Sequence, residues 1–144
     1  TIDECYDVTS RTLKIVFEEL KMQNVNLSGI VLKPNMVISA LGCSDQANSD
    51  YVVELTIKCL KENVPSEVPG IAFLSGGQSS DVATKHLNLM NKTNVDLPWN
   101  LTFSYGRALQ QDALNTWKGK NRLEAQSAFL NRAKTNSLAT VGSL

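Results

Sequence analysis

The sequence predicts an α/β fold in which helices alternate with the strands of a parallel sheet. One observation is that Gly70–Leu74 reads GIAFL, a continuous apolar run of the kind found in strands covered on both faces. Another is that apolar residues at helical spacing precede and follow each such run, as in Leu13, Val16, Phe17 and Leu20. Each run also ends at a polar or glycine-rich turn, which is typical of a strand that leads into a helix.

The predicted elements follow one another in a regular order. They are a helix that ends at Asn24, a strand over about 27–33, a helix around 51–60, a strand over 70–74, a helix from about 80, a strand over 99–104, and helices over 108–117 and 122–136. Pro65 and Pro69 separate the second helix from the second strand. Strands that alternate with helices in this way form parallel sheets with helical cover.

Three strands do not complete such a sheet, because both outer strands would present unpaired backbone groups over a poorly covered core. A complete eight-stranded (β/α)8 barrel takes about 250 residues. The 144 residues of this chain, with three strand–helix units, would make a little under half of one. We therefore expect residues 1–144 to be one partial barrel whose upstream strands lie outside this chain.

Composition excludes several classes of function. Fourteen basic and fourteen acidic residues cancel and are not segregated, so neither a nucleic-acid partner nor an anionic membrane surface is indicated. The chain shows no apolar run of membrane-spanning length and no signal peptide. Three cysteines without C-x-x-C spacing, and a single histidine, favour reduced thiols in a cytosolic setting and predict no metal site.

The chemistry-bearing residues follow the strands. Lys33, Ser75-Gly76-Gly77 and Ser104-Tyr105-Gly106-Arg107 come at the carboxyl ends of the three strands, which share one edge in a parallel sheet. Glycines let backbone N–H groups approach an anion closely, helix N-termini attract negative charge, and arginine adds a bidentate donor. The pattern predicts a phosphate site, and the alternative is a pair of tight turns that need no ligand.

Lys33 is out of place after the apolar run IVL. An ordinary lysine amine is protonated at pH 7 and is a poor nucleophile, but apolar surroundings and nearby cations favour the neutral form, which attacks carbonyls. Pro34 holds the preceding residue in extended geometry. The alternative is a strand-end lysine whose stem packs while its head reaches solvent. His86 is expected to be a satisfied buried histidine, and the aromatic residues Trp99, Trp117 and Phe129 are expected to lie in the core.

Five segments together resemble the class I fructose-1,6-bisphosphate aldolases. They are VLKPNMV (31–37), FLSGGQS (73–79), LNLMNK (87–92), PWNLTFSYGRALQ (98–110) and RAKTNSLAT (132–140). The resemblance runs over essentially the whole chain, with the order and spacing of the family. It implies strands six to eight of a TIM (β/α)8 barrel, and a cytoplasmic glycolytic lyase that cleaves fructose 1,6-bisphosphate reversibly to dihydroxyacetone phosphate and glyceraldehyde 3-phosphate.

The resemblance also implies roles for single residues. Lys33 would be the Schiff-base lysine, and no metal or other cofactor would be needed. The substrate phosphate would be held by Ser75, Gly76, Gly77, Ser104, Tyr105, Gly106 and Arg107. The acidic, lysine and glutamate residues that carry proton transfer in the family lie on earlier strands, so we expect this chain alone to be inactive or barely active.

The resemblance further implies a homotetramer, and family members also bind actin. Two alternatives remain open at this stage. One is another Schiff-base aldolase of the same barrel type that acts on a different phosphosugar. The other is a non-catalytic phosphate-binding or scaffold protein made from a truncated barrel, in which Lys33 has no chemical role.

Overall fold

The computed structural model describes residues 1–93 and 96–144. The described residues form five α-helices, a short 3₁₀ helix and three strands, in the alternating order that the sequence predicts. In chain order the main elements are α1 (Ile2–Met22), β1 (Val31–Leu32), α2 (Ser49–Asn63), β2 (Gly70–Phe73), α3 (Ser80–Lys92), β3 (Asn100–Phe103), α4 (Arg107–Trp117) and α5 (Arg122–Ala139). The predicted α/β class is confirmed.

The three strands form one parallel sheet in the order β1-β2-β3. Val31 pairs with Gly70, which in turn pairs with Asn100, so these residues share one face because side chains alternate along a strand. Ile71 and Phe73 lie on the opposite face, where the helices pack, and are fully buried. Val31 is 64% exposed. We call the side that carries Val31 the open face of the sheet.

The helices make the other layer and enclose the core. Contacts join α1 to α2, α2 to α3, and α3 to both α4 and α5, while α4 and α5 pack against each other. Fully buried residues come from the sheet, from the loops after β1 and before β2, and from α2, α3 and α5; they include Met36, Val37, Cys59, Val68, Ile71, Phe73, Ala83, Leu87, Met90 and Ala139. The core therefore lies between the covered face of the sheet and the helices.

The sequence prediction of the first strand is wrong in part. The first strand was expected over about 27–33, but Leu27–Gly29 form a 3₁₀ turn and only Val31–Leu32 pair with β2. The cause is local, because the Asn26 side chain accepts hydrogen bonds from the backbone N–H and the hydroxyl of Ser28 and stabilises that turn.

The aromatic residues also divide differently from the prediction. Trp99 is buried and donates its indole N–H to the Pro65 carbonyl, at 2.9 Å, as expected for a core residue. Trp117 and Phe129 are 48% and 41% exposed. They line a shallow groove between α4 and α5, because these two helices pack mainly on each other and on α3 rather than on the sheet.

Two properties of the described residues bear on membranes and metals. Among them, no helix combines the length and the apolar character that a membrane crossing needs. The same residues contain no group of three or more histidine, cysteine, aspartate or glutamate side chains placed to hold a metal ion. Cys5, Cys43 and Cys59 are free thiols.

Candidate functional site

The carboxyl ends of the three strands lie at one edge of the sheet. The Leu74 N–H donates to the Pro34 carbonyl at 3.0 Å, and the Ser104 N–H donates to the Phe73 carbonyl at 2.8 Å. These bonds continue the parallel register one step beyond the strands. The register places Lys33 beside Ala72, within the length of β2, while Ser75 and Ser104 follow the ends of β2 and β3. The sheet therefore brings the three predicted positions to one edge, as the sequence predicts, but Lys33 lies at a lower level than the other two.

A cleft of about 360 Å³ lies at this edge, between the turn after β2 and the start of α4. The turn contributes Ser75 and Gly77, and α4 contributes Arg107. The other residues that line it are polar with one exception: Gln78, Ser79, Ser80, Asp81, Ala108, Gln111, Asp112 and Asn115. The structure thus brings residues from two predicted phosphate turns to one cleft.

The turn after β2 has a backbone that requires glycine. Gly76 has φ of 60° and Gly77 has φ of 83°, and residues with a Cβ adopt such values only with strain. The Ser75 carbonyl accepts a backbone hydrogen bond from Gln78 at 3.1 Å, which closes the turn. Ser75 itself is buried, while both glycines are exposed. The turn therefore presents glycine backbone towards solvent at the cleft.

Two helices begin at the cleft, and their N-termini differ. In α3 the Ser79 hydroxyl accepts a hydrogen bond from the Val82 N–H at 3.3 Å and caps the first turn. In α4 the residue at this position is Gly106, and no side chain caps the first turn. The first N–H groups of a helix carry partial positive charge and attract anions. The uncapped start of α4, with Arg107 and Ala108 in the cleft wall, is therefore suited to a negatively charged ligand.

Gln78 and His86 stabilise the turn through a chain of hydrogen bonds. Gln78 was not identified from the sequence as part of the site. The Gln78 side-chain amide donates to the Ser75 carbonyl at 2.9 Å, so its oxygen faces Nδ1 of His86 at 2.6 Å. That oxygen can only accept, so Nδ1 must carry the proton. Burial lowers the pKa of His86 to about 4, with a smaller effect of Lys85. The prediction of a satisfied buried histidine is confirmed.

Three charged side chains join α3, α4 and α5 next to the cleft. Arg132 of α5 donates from Nη2 to Asp81 at 2.6 Å and from Nε to Asp112 at 2.7 Å. Burial alone would lower the pKa of Arg132, but the hydrogen bonds to Asp81 and Asp112 outweigh that and raise it. These residues were missed from the sequence, because their spacing along the chain gives no sign that they meet.

Lys33 lies at the same edge but does not line the cleft. Val31 faces the open side of the sheet and side chains alternate, so Lys33 faces that side too. The residue is exposed. The apolar surroundings expected for it are not provided by the described residues, because no helix among them covers the open face.

The remaining predicted residues take different positions. Ser104 and Gly106 are exposed near the cleft without lining it, and Gly76 also lies outside its wall. Tyr105 is buried, and its hydroxyl donates to the Ala83 carbonyl of α3 at 3.0 Å. Its side chain therefore has a structural partner, which leaves only its backbone N–H for an anion.

The fold and the cleft define a helix-covered parallel α/β protein with a polar cleft at the carboxyl ends of its strands. The family model described as "Glycolytic: Fructose-bisphosphate aldolase class-I" matches residues 1–144. The chain belongs to the class I fructose-bisphosphate aldolase family, as the sequence resemblance indicated.

Individual relatives agree with this family. A protein of Xanthomonas campestris pv. campestris named "Probable fructose-bisphosphate aldolase class 1" is 49% identical over 144 residues, which is 98% of this chain and 43% of that protein. The cytoplasmic isozyme of fructose-bisphosphate aldolase from Spinacia oleracea is 47% identical over 98% of this chain and 40% of its own length. The chain thus spans less than half the length of these relatives.

A solved structure is also similar to the whole described fold. It is fructose-bisphosphate aldolase from Plasmodium falciparum in complex with TRAP and a small-molecule inhibitor. The TM-score is 0.94 at 46% sequence identity, and the match covers 99% of this chain and 42% of that one. The three-stranded sheet and its helices therefore correspond to part of an aldolase fold.

Proposed function

We propose that this chain supplies the Schiff-base lysine and one phosphate-binding site of a fructose-1,6-bisphosphate aldolase. The observation that carries the proposal is the cleft in which Ser75 and Gly77 from one turn meet Arg107 from the next. Family membership supports the reaction, and the polar edge of the sheet supports the position of the substrate. In this proposal the described strands are the sixth to eighth of a (β/α)8 barrel.

The phosphate group would be bound first, because the cleft offers it several kinds of donor. Arg107 supplies a permanent positive charge, the uncapped start of α4 supplies N–H groups, and the exposed glycines of the turn supply more. Gly76, Gly106 and the backbone of Tyr105 would close around the anion, with the Ser104 hydroxyl beside them. Binding at this cleft would hold the rest of a sugar phosphate against the same sheet edge as Lys33.

Lys33 would then act as the nucleophile. Its neutral amine adds to the ketone carbon of fructose 1,6-bisphosphate to give a carbinolamine. Uptake of one proton and loss of the hydroxyl as water leave a positively charged iminium. The bond that breaks joins the α and β carbons, counted from the iminium carbon. The β carbon, which carries a hydroxyl, leaves as the aldehyde, and the electron pair left on the α carbon is delocalised to the iminium nitrogen as an enamine. The proton that leaves the substrate hydroxyl needs a base, which we place on residues outside this chain.

The same residues outside the chain would change the surroundings of Lys33. Covering the open face of the sheet would replace solvent with protein around the amine and favour its neutral form. We therefore propose that the 144-residue chain alone binds phosphate but cleaves substrate slowly or not at all. A cytoplasmic location and assembly into a homotetramer stay predictions from the family, as does actin binding.

The exposure of Lys33 favours a second candidate, a phosphate-binding module without chemistry. In that reading the cleft binds an anion and the amine remains an ordinary solvated lysine. The two candidates differ in whether a ketone phosphate forms a covalent adduct.

Borohydride trapping distinguishes them. The chain is incubated with dihydroxyacetone phosphate and sodium borohydride, digested, and analysed by peptide mass spectrometry. We expect a reduced adduct on the peptide that contains Lys33, lost in Lys33→Arg and weakened in Arg107→Ala. Dihydroxyacetone without phosphate is the ligand control and should label poorly. Phosphate binding without any adduct on Lys33 would support the binding module, and modification spread evenly over surface lysines would contradict the lyase proposal.

A further inference from the structure

The phosphate cleft is lined by more negative than positive charge. Among the described residues its wall contains the carboxylates of Asp81 and Asp112 and one cation, Arg107, so the formal sum over these three residues is −1. Such a wall repels a phosphate, although solvent screens the repulsion because Asp81 is 88% exposed and Asp112 is 38% exposed. Arg107 and the start of α4 alone would have to overcome that repulsion.

Arg132 lies behind the wall and contacts both carboxylates. Its side chain is 12% exposed, and its ion pairs with Asp81 and Asp112 have N···O distances of 2.6 and 2.7 Å. None of the ion pairs found among residues 1–93 and 96–144 involves Arg107. One buried guanidinium thus serves two acidic residues, and the guanidinium in the cleft is left for a ligand.

We propose that Arg132 is an electrostatic positioning residue for the phosphate site, which it makes anion-selective by neutralising Asp81 and Asp112. Including Arg132 brings the formal sum from −1 to 0, so the helix N-terminus and the glycine turn decide the sign of the cleft. The ion pairs also draw both carboxylates towards α5, because a planar guanidinium fixes the direction of each partner. This inference rests on the proposed function, since it concerns the same anion site.

Arg132 also makes a contact within the protein core that has no part in the charge of the cleft. Its Nη1 lies 3.4 Å from the Thr84 hydroxyl, which also bonds Asn136 at 2.5 Å. Loss of Arg132 could therefore loosen the packing of α3 against α5 as well as change the charge of the cleft. The test must separate these two effects.

Four variants of the chain separate charge from packing. Arg132→Gln removes the charge, and Arg132→Lys keeps the charge but loses the planar fork. Arg132→Gln combined with Asp81→Asn and Asp112→Asn removes the cation and both anions together. Asp81→Asn with Asp112→Asn keeps Arg132. Binding of inorganic phosphate is measured for each by isothermal titration calorimetry, with circular dichroism to compare the folded fraction.

We expect Arg132→Gln to weaken phosphate binding by roughly three- to tenfold, the size expected for a unit charge acting across a partly screened cleft. Arg132→Lys should lose less than half as much phosphate affinity as Arg132→Gln loses. The triple variant should bind phosphate with an affinity within about twofold of that of the unchanged chain. The double carboxylate variant should bind phosphate more tightly, which keeps the inference testable if Arg132→Gln does not fold.

The contrary results are distinct. If the unchanged chain binds phosphate but Arg132→Gln binds equally well, the inference is wrong and the proposed function stands. Equal losses in Arg132→Lys, Arg132→Gln and the triple variant would assign Arg132 to packing alone and also overturn the inference. Absence of phosphate binding in the unchanged chain would overturn the phosphate site itself, and this inference with it.

Discussion

The glycine turn after β2 offers the sharpest test of how the backbone makes the site. Gly76 and Gly77 have φ of 60° and 83°, so alanine at either position must adopt a strained conformation or rotate the turn. Rotation would redirect the N–H groups that the turn presents to the cleft. We therefore predict that Gly76→Ala and Gly77→Ala lower both stability and phosphate affinity.

The size of the effect follows from the space around each glycine. A Cβ on Gly76 would lie 3.6 Å from Ile38 Cδ1 and 3.7 Å from Leu74 Cδ1, which are ordinary contacts. A Cβ on Gly77 would lie 3.3 Å from Cδ1 of Leu41, an exposed and flexible side chain that can move. Only backbone strain remains, so each substitution should cost about 1–2 kcal/mol of folding free energy.

Gly119 provides a matched control. Its φ is 76°, and a Cβ there would meet nothing within 4 Å. It lies between α4 and α5, outside the cleft wall. Gly119→Ala should therefore lose a similar stability, roughly 3–8 °C in Tm, without any change in phosphate affinity.

The assay is thermal unfolding for stability and calorimetric titration with inorganic phosphate for affinity. Gly76→Ala and Gly77→Ala should weaken binding by about tenfold, because alanine relieves its strain at positive φ by rotating the turn, and this rotation moves the N–H groups away from the ligand. Unchanged phosphate affinity in both variants, with Gly119→Ala showing the same stability loss, would refute the role of the turn backbone.

Three further predictions concern stability. His86 has a pKa of about 4 in the folded chain against an ordinary value of 6.5, so the unfolded chain binds more protons between these pH values and the free energy of unfolding falls as pH is lowered through them. His86→Asn should remove about 3 kcal/mol of that fall when unfolding is measured at several pH values, and the same pH dependence in both proteins would contradict this prediction. Gly142 has φ of 66°, and a Cβ on it would lie 2.9 Å from the backbone of Lys92, so Gly142→Ala should lower the free energy of unfolding by more than 3 kcal/mol in chemical denaturation. A loss below 1 kcal/mol would contradict this prediction and show that the contact relaxes. Tyr105→Phe removes a buried hydrogen bond and should lower the free energy of unfolding by about 1 kcal/mol, whereas Tyr51→Phe removes an exposed one and should change it little. Equal losses of stability in the two variants would contradict this prediction.

Apolar runs and helical spacing predicted most of the fold, because they directly report which side chains must be buried. The strand around Ile71 and the helices on either side of it were correct within a few residues. The short first strand was overestimated, since Asn26 forms a local turn that competes with strand pairing. Trp117 and Phe129 were placed in the core because they are apolar, although burial depends on which helices pack against which face.

The site was predictable only where the chain marks it locally. The glycine pair after β2, and Gly106 with Arg107 at the start of α4, are visible in the sequence, and the cleft contains residues from both turns. The contacts of Gln78 with His86, and of Arg132 with Asp81, join residues 8 and 51 positions apart and depend on helix packing. The surroundings of Lys33 were not predictable from its neighbours in the sequence, because they depend on what covers the open face of the sheet.

The central claim is that two glycine turns and the start of α4 form one phosphate site. Backbone amide NMR of the chain, titrated with inorganic phosphate, tests it most directly. The account predicts that the largest saturable shifts belong to the N–H groups of Gly76, Gly77, Gly106 and Arg107, with a common dissociation constant. Shifts confined to other regions, or none at phosphate concentrations that saturate the calorimetric signal, would contradict it.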